Sequence, residues 1–423
     1  MFDLIKRPLA AAMLIGTLTA ASQATARDRD HDRDGRIGHV FVIVLENEGF
    51  DITFGANSPA PFLSKTLPSQ GVLLKNYFGT GHVSLDNYVA MISGQAATPQ
   101  TRNDCGVYQD FALTGITPDG QAVGTGCVYP ASIKTLADQL TATGKSWRGY
   151  MEDMGNDPAR EQRSCGQPLA NGKVALNQAD DTQAAEPQDQ YAARHNPFVY
   201  FHSLIDSGAC ANHVVNFNRL AQDLAYESTT PHFAFITPNL CHDGHDAKCK
   251  NGETGGLAGA DAFLQKTVPM ILNSPAFKED GLLIITFDEA SLDAAPDGKG
   301  NLVLTAAGET CCGQQPGPNL APFPQSTEPF PNVIFNFQSF GGDRTGAVLV
   351  SPFLKGGTVS NVPYNHYSML KTVEDIFHLD HLGYAGQPGL QGFFGCANSD
   401  IAFRSRDDDQ FGRCERERER DRD

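Results

Sequence analysis

Residues 39–45 read HVFVIVL and are followed at once by Glu46 and Asn47. The six residues after His39 are all apolar and leave no polar stripe for a surface helix or a half-solvated strand. They suit a short strand buried on both faces. Three further runs have the same character: residues 233–237 (FAFIT), 282–287 (LLIITF) and 347–350 (AVLV). The four are expected to be central parallel strands. Helical patterns at 132–143, 214–226, 260–272 and 368–377 fall between or after them. Alternating strands and helices predict an α/β fold, a three-layer α/β/α sandwich around a mostly parallel sheet. Residues 98–190 and 293–340 are poor in apolar runs and rich in turn formers. The first is expected to be a lid-like insertion over the sheet, the second a loop-rich decoration.

In such a sheet the ligand site lies beyond the carboxyl ends of the strands. The residues there are ligand types. Glu46 and Asn47 follow the first run, Asn239, Cys241, His242, Asp243 and His245 follow the second, and Asp288 and Glu289 follow the third. One such residue is an ordinary loop carboxylate or cap, but the pattern recurs at three strand ends. Residues 80–94 (TGHVSLDNYVAMISG) place Ser84 at a loop-to-helix junction. There it either caps the helix or faces a phosphate held by the free amides of the first turn.

The segments ENEGFD, GHVSLDNYVAMISG, RHNPFVYF, TPNLCHDGHD, ITFDEA and YNHYSMLKTVEDIF, in this order, resemble the bacterial and fungal phosphoesterase family. That family contains secreted acid phosphatases and phospholipases C and is related to the alkaline-phosphatase-like superfamily. The resemblance implies that Glu46, Asn47, Ser84, Asp288 and Glu289 hold a metal, with Ser84 as nucleophile. It implies that Asn87, His195 and His242 bind substrate, and that His245 or His195 protonates the leaving alcohol. Asp243 and His366 match positions for a second metal, although His366 reads more simply as a structural residue capping the helix that follows. Asp86 departs from the family, where proline is commoner before the asparagine.

The chemistry suits these residue types. A serine hydroxyl is a weak nucleophile, and a divalent cation lowers its pKa while neutralising phosphate charge. An oxygen-rich set favours Mg²⁺, Ca²⁺ or Mn²⁺ and also admits Zn²⁺. A histidine acid near its ordinary pKa of about 6.5 fits mildly acidic operation. The implied activity is that of an acid phosphatase forming a phosphoserine. The alternatives are a phospholipase C or other phosphodiesterase and, from another class, a noncatalytic secreted binding protein.

The 423 residues carry 49 acidic and 32 basic side chains, a formal charge of −17. This argues against nucleic acid as a partner, and the expected partner is a small phosphate ester. Lys6 and Arg7 before an apolar run at 9–20, then Ala24-Thr25-Ala26, read as a signal peptide over residues 1–26. The run is too short to span a bilayer, which takes about 18 or more apolar residues. A soluble, exported chain is expected, periplasmic or secreted, and a monomer. The alternating charges of residues 27–36 and of the tail at 404–423 read as solvated segments flanking a catalytic domain at 37–403. Ten cysteines in an exported chain favour disulfides. Short loops favour Cys105 with Cys127, Cys165 with Cys210 and Cys241 with Cys249. Adjacent Cys311 and Cys312 are expected to reach different partners. Trp147, in WRGYMED, is expected to be a packing anchor.

Overall fold

A computed structural model describes residues 37–245, 248–395 and 400–404. The expected signal peptide, the charged segment after it, the tail from residue 405, and Cys396 and Cys414 lie outside the described residues. The core is an eight-stranded sheet. Its strands are β1 (His39–Leu45), β2 (Val72–Leu74), β3 (Trp147–Met151), β4 (Val214–Asn216), β5 (Phe233–Thr237), β6 (Gly281–Phe287), β7 (Ala347–Val350) and β8 (Thr358–Ser360). Across the sheet they run β4-β3-β5-β1-β6-β7-β2-β8.

All seven residues of β1 are buried. Because side chains alternate across a strand, Val40, Val42 and Val44 enter one hydrophobic cluster and Phe41, Ile43 and Leu45 the other. Helices α1 (Ser84–Ser93), α2 (Leu136–Ala142) and α5 (His366–Phe377) pack in the first cluster. Helix α3 (Gly256–Asn273) and the short α4 (Pro275–Asp280) pack in the second. The three-layer α/β/α sandwich is therefore present.

Neighbours β4, β3, β5, β1 and β6 are all parallel. The run 347–350 corrects the expectation of four parallel strands, since β7 is antiparallel to both β6 and β2. A parallel return needs a crossover to the far end of the sheet. No helix separates Phe287 from Ala347, so the chain comes back from the end at which it left. That intervening stretch is more ordered than its composition suggests, because residues 293–337 supply a small sheet of four strands.

Two other expectations change. Residues 98–190 are not a single insertion outside the sheet: the stretch contributes α2 and the central strand β3. The helical pattern at 214–226 begins instead as β4, where Val214 and Val215 pair with Gly149 and Tyr150. β-Branched residues beside an unpaired sheet edge override a helical period. Trp147 is 1% exposed and stacks on Phe198 and His213, as a packing anchor should.

The three disulfides expected from short loops are formed. Cys311 and Cys312 correct the fourth expectation by bonding to each other. Cys312 has a φ of 63°, and this left-handed turn brings adjacent side chains together. No described helix is long and apolar enough to cross a membrane.

Candidate active site

The register of the sheet builds the site. Leu45 of β1 lies opposite Phe287 of β6, so the residues that follow, Glu46 and Asp288, leave the sheet side by side. The backbone N–H of Asp288 donates to Leu45 O at 2.9 Å, and that of Glu46 to Asp243 O at 2.8 Å. This ties the ends of β1 and β6 to the segment that follows β5. Asn47 has a φ of 52°. The turn aims its backbone N–H at Asp288 Oδ1, 3.0 Å away, where the amide of Glu289 also donates at 2.7 Å.

Ser84 is the first residue of α1, and Val83 before it has a φ of 87°. Left-handed backbone is costly for a β-branched residue and occurs where the surroundings impose it. Here the Val83 N–H donates to Glu289 Oε2 at 2.6 Å, and the Ser84 hydroxyl donates to Glu46 Oε2 at 2.7 Å. Ser84 makes no capping hydrogen bond, so the helix-cap reading of this residue is not what the structure shows.

The Asn47 side-chain oxygen lies 3.2 Å from Glu46 Oε2 and 3.1 Å from Glu289 Oε1. Three oxygens face one another, which is repulsive unless a carboxyl is protonated, the amide turns over or a cation sits among them. Burial pushes the Glu46 and Asp288 carboxyls well up, and each is raised further by its acidic neighbours. Asp288 Oδ2 is buried without a hydrogen-bond partner. Glu46, Asn47, Ser84, Asp288 and Glu289 thus form a buried, acidic oxygen set that fits a hard divalent cation.

The other expected site residues divide. His195 is 2% exposed, with Nε2 3.2 Å from Glu46 Oε1 and its ring stacked on Tyr88. Burial, then Arg194, hold its pKa well below the ordinary value, which favours neutral imidazole. His245 is exposed, with Nε2 3.3 Å from the Asn47 Nδ2, at the open side of the cluster. Asp243 closes the buried side, with Oδ2 4.0 Å from His195 Nδ1.

Three expectations are corrected. Asn87 does not offer its amide to a substrate. Its oxygen accepts from the backbone of Thr80 at 2.8 Å and of Gly81 at 3.0 Å, and its Nδ2 donates to Gly81 O at 3.0 Å. Three residues beyond Ser84, it lies on the helix face beneath this loop and holds it. His242 turns away to two carboxylates, with Nδ1 2.9 Å from Glu152 and Nε2 3.2 Å from Glu253. His366 accepts at Nδ1 or donates from it to the Tyr77 hydroxyl at 2.9 Å, while Nε2 donates to the Asp288 carbonyl. With both nitrogens engaged, His366 is a strut behind Asp288 and not a second-metal ligand. Nor is it the cap, a role taken by Asn365.

The sequence reading missed His82. It is 2% exposed, with Nδ1 3.0 Å from Glu289 Oε2 and Nε2 2.8 Å from Asp343 Oδ2. Although burial opposes its charge, Glu289 and Asp343 push its pKa up to about 9, so it is an imidazolium between two carboxylates. The signal was its place two residues before Ser84. Asp343, at the end of a loop-rich stretch, offered none.

The chain is similar to several known proteins. The chain is 25% identical over 343 residues to a probable acid phosphatase of Kluyveromyces lactis, covering 81% of this chain and 59% of that protein. It is 24% identical over 347 residues to a phosphatidylinositol-3-phosphatase of Mycobacterium tuberculosis, covering 82% of this chain and 79% of that one. A Vibrio parahaemolyticus protein of the alkaline phosphatase superfamily superposes with a TM-score of 0.41 at 12% identity, covering 82% of this chain and 68% of that chain. The chain therefore spans about three-fifths of the length of the Kluyveromyces relative. Residues 57–380 match the Phosphoesterase family, and the chain, matched over most of its length, belongs to that family.

Proposed function

We infer that the protein is an exported, metal-dependent phosphomonoesterase that works through a phosphoserine at Ser84. The observation that carries the reading is the Ser84 hydroxyl at the start of α1, 2.7 Å from Glu46 and set among buried oxygen ligands. Glu46, Asn47, Asp288 and Glu289 would hold a divalent cation, which would neutralise phosphate charge and favour the deprotonated serine. The residues of the chain do the rest. Glu46 fixes the hydroxyl in the direction of attack, and His195 and Tyr88 brace Glu46 from its buried side. The strained turn at Val83 and the Asn87-held loop present Ser84 at the N-terminus of α1.

In the first half-reaction the Ser84 hydroxyl gives its proton to Glu46 Oε2, the carboxylate it already faces, its oxygen bonds to phosphorus, and the ester oxygen departs with its electron pair. His245, at the open side, gives that oxygen a proton. In the second half, water attacks phosphorus and gives a proton to His245, the Ser84–phosphorus bond breaks with its electron pair on the Ser84 oxygen, which takes back the proton held by Glu46, and inorganic phosphate leaves. Relatives named as phosphatases support a monoester substrate, and the disulfides among the described residues support export.

Hydrolysis of p-nitrophenyl phosphate against bis-p-nitrophenyl phosphate tests the reading, with chelator and with each metal restored in turn. Monoester preference with metal rescue is expected. Diester preference would move the chain to the phosphodiesterases, and no turnover with any metal would contradict the enzymatic reading.

A further inference from the structure

The segment that leaves β5 carries a second set of ligand-type side chains, outside the cluster around Ser84. His242 Nε2 lies 3.2 Å from Glu253 Oε2, and Cys241 Sγ lies 3.9 Å from the same oxygen. The three atoms are all within 4.8 Å of one another. Zinc bonds of roughly 2.0–2.3 Å put neighbouring ligands of a tetrahedral site about 3.3–3.8 Å apart. The two separations from Glu253, 3.2 and 3.9 Å, are close to that.

A second observation points the same way. His242 Nδ1 is 2.9 Å from Glu152 Oε1. A carboxylate on the far nitrogen is how zinc sites fix the tautomer and aim of a histidine ligand. It leaves Nε2 facing Glu253 and Cys241. The set is open to solvent, since the side chains of His242 and Glu253 are 21% and 59% exposed.

In the oxidised chain Cys241 is bonded to Cys249, so its sulfur is no thiolate. We propose that this disulfide and a zinc ion are alternative closures of one loop, and that on reduction Cys241, Cys249, His242 and Glu253 bind one Zn²⁺. With a phosphine as reductant, phosphorus gives two electrons to the S–S bond and takes an oxygen from water to become a phosphine oxide. Two thiols result, and each loses its proton on binding the metal. The same loop carries Asp243, whose carbonyl accepts from the Glu46 amide, so either closure holds this backbone against the end of β1.

Cobalt(II) is the probe, because a cysteine thiolate gives it a near-ultraviolet charge-transfer absorption that an oxygen site does not. The result is thus independent of the reading for Ser84. Cys249→Ser frees Cys241 without any reductant and leaves the other bridges intact. It should take up one equivalent of cobalt with that absorption, and zinc should displace it. Phosphine-reduced wild type should show the absorption as well. Adding His242→Ala to Cys249→Ser should weaken cobalt binding at least tenfold, and adding Cys241→Ser should abolish the absorption. Its absence from both reduced wild type and a Cys249→Ser sample with unchanged circular dichroism would overturn the proposal. So would an affinity undiminished by His242→Ala.

Discussion

At Ser84 a single hydroxyl sits 6% exposed and donates to a carboxylate that burial has pushed towards its protonated form. Removing it deletes one small polar group from a preformed frame. Ser84→Ala should therefore abolish turnover, while its unfolding free energy, measured by denaturant titration, stays within about 1 kcal/mol of wild type. Asn87 should behave differently. It satisfies the Thr80 and Gly81 amides, so Asn87→Ala leaves buried donors unpaired. A loss of about 2–4 kcal/mol in the same titration is expected, alongside lost activity. This contrast also marks the limit of legibility. Glu46, Asn47, Asp288 and Glu289 were readable because strand ends in a parallel sheet leave little choice of position. The directions of the Asn87 amide and the His242 ring were not, since they depend on loop carbonyls and on Glu152, 90 residues away in sequence.

Helices α1 and α5 hold that frame from one layer. All ten residues of α1 are buried, and it stops at Gly94, whose φ is 66°. A Cβ there would stand 2.1 Å from the carbonyl of Leu382. Gly94→Ala should cost more than about 2 kcal/mol of stability, read from thermal unfolding, since strain and a clash with backbone add. On α5, burial pushes Glu374 up to about 9. Its carboxyl is neutral in the folded chain at pH 7 and ionised in the unfolded one. Its contribution is therefore fully present below the unfolded pKa of about 4.5 and lost as pH rises towards 9. Glu374→Gln should stabilise the protein by about 3 kcal/mol at pH 7 and have no effect below pH 4, as denaturant titrations at the two pH values will show. The strands were legible as doubly buried runs. The reversed direction of β7 was not, because a four-residue apolar run such as AVLV carries no signal of strand direction.

Over the whole molecule, a cation bound at the acidic cluster, as proposed, would make folding and metal occupancy interdependent. Buried carboxylates without a cation repel each other, and an ion that binds only the folded chain stabilises it by mass action. Chelation should lower the unfolding temperature by several degrees in calorimetry, and the restored metal should return it. The three-layer architecture followed from the alternation of buried runs and helical patterns. The small sheet within residues 293–337 did not, because its strands are exposed or half-exposed and the stretches joining them are rich in glycine and proline. The proposed mechanism requires that Ser84 carry the phosphoryl group at a metal-dependent site. Acid-quenching the enzyme during turnover of a ³²P-labelled phosphomonoester, followed by peptide mapping, tests it most directly. Label on the Ser84 peptide, absent after chelation and in Ser84→Ala, is the predicted result. Turnover that survives both, or label on a histidine, would contradict the account.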